Sequence, residues 1–176
     1  MGTRNWNQSK SEMFRYTQKD QEDRVARALE YWLDCGIRVL QQWTVCFTCG
    51  KHFERIDPSQ YASSCRNNSC RAKFIGKGTN CQPDIIIQSG GRKAIVFVNG
   101  SIHDVNDRRR YLDKYQITRL REFGYKIFVI KNKAIDALPD FNLISMAKGW
   151  VDLLLDDELY KKLAQREREI FLGSGI

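Results

Sequence analysis

Between Cys46 and Thr79 the chain loses its apolar pattern and acquires paired cysteines. Cys46 and Cys49 are separated by two residues, and Cys65 and Cys70, fifteen residues further on, by four. Ser, Asn, Gly and Lys fill most of the remainder. A segment of this composition cannot bury enough surface to fold by itself, so it needs a cross-link of another kind. The polar, charged stretch from Met1 to Asp23 lacks the apolar run of a secretory leader. An intracellular, reducing setting is therefore expected, and there metal ligation is favoured over disulfides. Two thiol pairs on tight turns suit tetrahedral Zn²⁺, with Cys46, Cys49, Cys65 and Cys70 as ligands. Four thiolates leave no open coordination position, so the expected role is structural. His52 and Cys81 stand near enough in sequence to substitute. Cys35, beside an apolar helix end, is expected in the core.

On either side of this stretch the apolar pattern is regular. Val25, Leu29, Trp32 and Leu33 repeat at helical spacing and predict a helix from Glu22 to Leu33, closed by Cys35-Gly36. Ile37 to Val45 reads as one strand. Asp84-Ile85-Ile86-Ile87 and Ala94-Ile95-Val96-Phe97-Val98 are short β-rich runs joined by Ser89-Gly90-Gly91, and their continuity predicts strands covered on both faces. A charged helix is expected from Asp107 to Phe123, ended by Gly124, then a strand from Tyr125 to Ile130. Helices over Phe141 to Leu155 and Asp157 to Phe171 complete an α/β fold with a mixed sheet. The expected organisation is a polar arm (1–21), a core (22–135) interrupted by a zinc-binding insertion (46–79), and C-terminal helices (136–176).

The chain has 176 residues, a net charge of +8 and 42% hydrophobic residues. That is enough for one cored domain, and the basic balance favours an anionic partner, nucleic acid being the commonest. No stretch reaches the roughly 20 apolar residues of a membrane span, so no membrane partner is expected. Monomer and homodimer both stay open.

Three segments carry candidate chemistry: Gln82-Pro83-Asp84-Ile85-Ile86-Ile87, then Ile95-Val96-Phe97-Val98-Asn99-Gly100-Ser101-Ile102-His103, then Asp113-Lys114-Tyr115-Gln116-Ile117-Thr118-Arg119-Leu120 running on to Glu122-Phe123-Gly124-Tyr125-Lys126-Ile127. In this order they resemble the very-short-patch-repair endonucleases of the PD-(D/E)xK superfamily, over about Glu22 to Ile130. The cysteine segment, with Cys49-Gly50-Lys51-His52-Phe53, resembles small fingers found beside phage and mobile-element nucleases. The resemblance implies a restriction-endonuclease-like core. It implies Asp84 as the central Mg²⁺ ligand, the Val98 backbone carbonyl as a second, His103 as general base, Asp113 as the group orienting it, and Glu22 as holder of metal-bound water. Asp23 and Glu30 are alternatives to Glu22, although Glu30 falls off the buried stripe.

The residue types suit these tasks. A carboxylate opening an apolar strand must be paired or bind a cation, and carboxylate oxygen suits Mg²⁺. A histidine titrates near neutrality, as a general base requires. Asp113 shares a stripe with Ile117 and Leu120. Arg108, Arg109, Arg110 and Lys114 at the start of the charged helix fit phosphate positioning, and Ile102 could wedge into a base step. The usual second acid and lysine of the superfamily are absent, and Val98-Asn99 stand where other members carry Asp or His. The expectation is a DNA endonuclease using Mg²⁺ and structural Zn²⁺. An RNA-directed nuclease of the same fold and a catalytically inactive nucleic-acid-binding module are the alternatives.

Overall fold

Ile85, Ile86, Ile87, Ala94, Ile95 and Val96 have no solvent exposure. Because successive strand residues point to opposite faces, a run like this needs an apolar layer on each side. The computed structural model describes residues 19–55, 62–75, 78–99 and 107–173; the side chains of residues 99, 107–113 and 167–173 lie outside that description. In chain order the elements are α1 (19–30), a 3₁₀ turn (Leu33–Cys35), β1 (Arg38–Gln41), β2 (Trp43–Cys46), β3 (His52–Glu54), β4 (Asn80–Cys81), β5 (Ile85–Ser89), β6 (Arg92–Asn99), α2 (Asp107–Glu122), β7 (Tyr125–Lys131), α3 (Asn132–Ala137), α4 (Asp140–Leu155) and α5 (Asp157–Gly173).

The main sheet has the order β1-β5-β6-β7. β5 pairs antiparallel with β1 and with β6, whereas β7 runs parallel to β6 after the α2 crossover. Ser89 pairs with Arg92 across Gly90-Gly91, and Gly90 at φ 56° supplies the left-handed conformation of a two-residue hairpin loop. One face of the sheet, with Ile85, Ile87, Val96 and Val98, packs on Val25 and Leu29 of α1, Ile135 of α3, and Leu143, Ala147, Val151 and Leu154 of α4. The other face, with Ile86 and Ile95, packs on Leu120 and Ile117 of α2 and on Val45, Phe47 and Cys81. The molecule is thus a mixed α/β fold with its mixed sheet flanked by helices. Among the described residues no helix is long and apolar enough to cross a membrane.

Two expectations change. Helix α1 stops at residue 30, and the tighter 3₁₀ turn, closed by the Gly36 N–H on the Leu33 carbonyl, carries Leu33 out of the apolar stripe. Leu33 is 48% exposed, while the indole of Trp32 packs inward and donates to the Ile144 carbonyl at 2.9 Å. The strand expected from Ile37 to Val45 is two strands. Gln42, at φ 61°, turns the chain from the main sheet into a second, three-stranded sheet of order β3-β2-β4. The buried stripe of α4, Leu143, Ala147, Val151 and Leu154, belongs to the main core. Lys126 anchors its end, donating to the carbonyls of Leu153 and Leu154 and pairing with Asp157 at 2.7 Å.

The small sheet and its cysteine loops are welded to the core rather than tethered. The Tyr125 hydroxyl donates to the Gly50 carbonyl at 3.1 Å and lies 2.7 Å from His52 Nδ1, while Arg119 donates to the Phe47 carbonyl at 2.9 Å. Gly50 adopts φ 68°, and a Cβ there would overlap the Phe123 ring. Gly50→Ala is therefore expected to destabilise the protein by about 2 kcal/mol in urea unfolding. Gly149→Ala, at an open position inside α4, should instead stabilise by about 0.5–1 kcal/mol. Equal effects would contradict this account of the junction.

Candidate functional site

Pro83 is buried and Asp84 follows it, one residue before β5. The register that sets Ile85 opposite Val96 brings Asp84 alongside the end of β6, where the Val98 N–H donates to Asp84 Oδ2 at 2.7 Å. Asp84 keeps some surface open to solvent, yet stands deep enough among protein atoms to be desolvated. Desolvation, the negative charge of Glu22 and a hydrogen bond with the Glu22 carboxyl together raise its pKa from 3.8 to about 7; the Val98 N–H works in the opposite direction. Two carboxyl groups from segments some sixty residues apart therefore meet at the edge of the sheet where β5 begins and β6 ends.

Glu22 is held there by the packing of α1. Val25 and Leu29, one and two turns on, are buried against the sheet. Gln21 donates to Asp136 Oδ1 at 2.6 Å, and Arg24 bridges to Asp140 at 2.7 Å while donating to the carbonyls of Ile135 and Leu138. The first turns of α1 are thus pinned to the α3–α4 junction. Of the alternatives to Glu22, Asp23 accepts a 3.4 Å hydrogen bond from Gln41 on β1, and Glu30 is exposed. A close carboxyl pair with a raised pKa is the arrangement that a divalent cation relieves. Mg²⁺ is bound through one or two carboxylates, with water and phosphate completing its shell, so the pair fits that ion.

The thiols of Cys46, Cys49, Cys65 and Cys70 lie within 4.8 Å of one another. Cys46 and Cys70 are 3.9 Å apart, and Cys49 and Cys65 are 3.7 Å apart. Four sulfurs around Zn²⁺ at about 2.3 Å would be separated by about 3.8 Å, so the cluster already has the dimensions of a zinc centre. In each pair the first sulfur accepts a backbone N–H from two residues on: Thr48 to Cys46 and Asn67 to Cys65, both at 3.4 Å. The wider spacing of the second pair is absorbed by a turn in which the Asn67 carbonyl accepts from the N–H groups of Cys70 and Arg71, with Arg71 at φ 47°. Burial pushes the Cys65 thiol up to about 12, whereas Cys49 is lowered to about 7, its burial outweighed by hydrogen bonds with the Lys51 backbone and Asn67. Among the described residues this is the only group of three or more such side chains close enough to share an ion.

His52 and Cys81 are not part of it. The His52 ring is held between the Tyr125 hydroxyl and Gln88 Oε1, at 2.7 and 3.0 Å. Burial, with Lys93 and Arg38 nearby, lowers its pKa against the opposing effect of the hydrogen bond accepted by Gln88 Oε1. Cys81 is buried in the second apolar cluster, and Cys35 packs beside the first. His103 and Ile102 lie outside the described residues. Arg108, Arg109, Arg110 and Asp113 lie on α2, but their side chains are outside the description; Lys114 is exposed. The Val98 backbone is placed at the site through its N–H, a contact the sequence did not suggest. Comparison with family models, curated proteins and solved structures found no match to this chain.

Two outcomes follow. The purified protein is expected to carry one zinc per chain by elemental analysis, lost in Cys46→Ser and Cys65→Ser but retained in Cys81→Ser and Cys35→Ser; retention in the first two would break the assignment. For Asp84, a folded pKa raised above the unfolded value means that the native state holds an extra proton between about pH 4 and 7. Stability should fall as pH rises through that window, with the full penalty present above it. In magnesium-free buffer, Asp84→Asn should raise the melting temperature at pH 8 and change it little at pH 4.

Proposed function

We propose that this chain is a metal-dependent endonuclease that hydrolyses phosphodiester bonds in DNA, built on a restriction-endonuclease-like core of the very-short-patch-repair type. The observation that carries the reading is the meeting of Glu22 and Asp84 at the edge of the sheet. Two acids in contact in a desolvated position cost stability, and such costs cluster at functional sites. The mixed four-stranded sheet with its α2 crossover and the basic net charge are consistent with it.

Asp84 and the Val98 backbone carbonyl would hold Mg²⁺, which when bound supplies polarisation of a phosphate oxygen and stabilisation of the leaving oxygen. The chain's own groups do the rest. The Val98 N–H orients the Asp84 carboxylate, Glu22 positions a water, His103 takes its proton, and Asp113 orients His103. Lys114 and the arginines at 108–110 would position the phosphate backbone, with Ile102 at the base step. Cys46, Cys49, Cys65 and Cys70 would hold a structural Zn²⁺ that ties the two cysteine loops together, in an intracellular setting that keeps the thiols reduced.

Supercoiled plasmid incubated with the protein and Mg²⁺ should be nicked or linearised. Asp84→Ala, Glu22→Gln and His103→Ala should each slow this by roughly 10²-fold or more, whereas Glu30→Gln, on the exposed side of α1, should stay near wild type. Cleavage that survives both Asp84→Ala and His103→Ala would remove the mechanism. Cleavage of RNA alone would reassign the substrate, and loss of both activities in a folded, zinc-loaded wild type would leave a binding module.

A further inference from the structure

The small sheet has a fixed relation to the carboxyl pair. The chain leaves the main sheet at Gln41, whose backbone pairs with Ile85 and whose side chain reaches Asp23. It returns through Cys81, Gln82 and Pro83 directly into Asp84. Arg55 locks the two crossing points together, donating to the Gln42 carbonyl and, at 3.0 Å, to Gln82 Oε1. Asn80 pairs with Cys46, the first ligand of the thiol cluster, and lies four residues before Asp84. Four residues span at most about 14 Å, so the strand that borders Cys46 runs straight into the carboxyl pair.

This segment is also strongly basic. From Cys46 to Thr79 it contains Lys51, Arg55, Arg66, Arg71, Lys73 and Lys77 against only Glu54 and Asp57. A zinc ion with four thiolates carries a formal charge of 2−, so with Glu54 and Asp57 also balanced the segment keeps a net positive charge. Lys51, Arg71 and Lys73 are exposed. They flank the cluster from both loops: Lys51 lies two residues after Cys49, and Arg71 and Lys73 lie one and three residues after Cys70. None of the three forms an ion pair with a described residue. Arg66, by contrast, is occupied, lying over the Phe53 ring and donating to the Glu54 carbonyl.

We propose that the cysteine module is a phosphate clamp for duplex DNA, in which Lys51, Arg71 and Lys73 grip the backbone of a duplex lying across the Glu22–Asp84 site. The relation to a cleaved phosphate rests on the nuclease reading above; the grip itself does not. A rigid junction makes the clamp a fixed ruler rather than a flexible arm, so it sets where the duplex lies over the carboxyl pair without reading its sequence.

The test is binding, measured apart from cleavage. Full-length, zinc-loaded Asp84→Asn protein is titrated onto a fluorescent 20-base-pair duplex in magnesium-free buffer from 50 to 300 mM KCl. On that background the triple change Lys51→Ala, Arg71→Gly and Lys73→Ala is compared with Lys161→Ala, Lys162→Ala and Arg166→Ala on α5, which removes the same charge. Arg71→Gly suits the positive φ at that position, and zinc content and melting temperature verify the fold. The first triple should weaken binding at least tenfold near 0.1 M salt and flatten the log K against log salt slope by about 2–3, at about 0.9 per phosphate. The α5 triple should leave the slope nearly unchanged. An unaltered slope in the first triple, an equal loss in both, or tighter binding to duplex RNA than to DNA would overturn the clamp. A wild type that binds DNA in this way yet never cuts it would overturn the nuclease reading and leave the clamp standing.

Discussion

The β5–β6 hairpin has no solvent-facing side: Ile85 and Ile87 look one way, Ile86 and Ile95 the other, and all four are fully buried. Such a pair can exist only inside a three-layer arrangement. One layer comes from α1, α3 and α4. The other has two contributors, α2 and the small sheet, because α2 brings only Ile117 and Leu120 to that face among its described side chains. Val45, Phe47 and Cys81 complete the cover. The cysteine module is therefore part of the core, and its loops inherit the rigidity of the sheet beneath them.

That arrangement explains how two acids come to share one place. Asp84 is committed by the strand that follows it, since Ile85 cannot leave the core and the Val98 N–H captures the carboxylate. Glu22 is committed by Val25 and Leu29 and by the polar ties of Gln21 and Arg24 to α3 and α4. Neither residue can withdraw without breaking apolar contacts. Desolvation of Asp84, and after it the charge of Glu22, is therefore answered by proton uptake rather than by movement, which is why the pKa of Asp84 rises to about 7.

The same logic operates around Tyr125. Its ring is buried in the second cluster, Lys93 lies 4.1 Å from the ring centroid, and its hydroxyl meets both His52 and Gly50. This one side chain ties the first residue of β7 to the first cysteine loop. Gly50 is needed there because the chain turns with positive φ directly against Phe123. The junction leaves the module little freedom to swing relative to the carboxyl pair.

Much of this was legible in the order of residues. The buried hairpin, the α2 helix with its Gly124 stop, the final helices and the grouping of four thiols all follow from local periodicity and spacing, because each depends on neighbours within a few turns or strands. Glu22 was legible only as a position on an apolar stripe. That it, rather than Asp23 or Glu30, reaches Asp84 was settled by the docking of α1 on the sheet and on α3, contacts more than a hundred residues apart. The break at Gln42, the rotation of Leu33 to the surface and the capture of His52 by Tyr125 were likewise hidden, since each reflects a partner distant in the chain. Sequence alone determined which segments had to be buried and which sulfurs had to come together. Tertiary packing decided which charged groups face one another, because the energy of a buried carboxyl is set by what surrounds it in space.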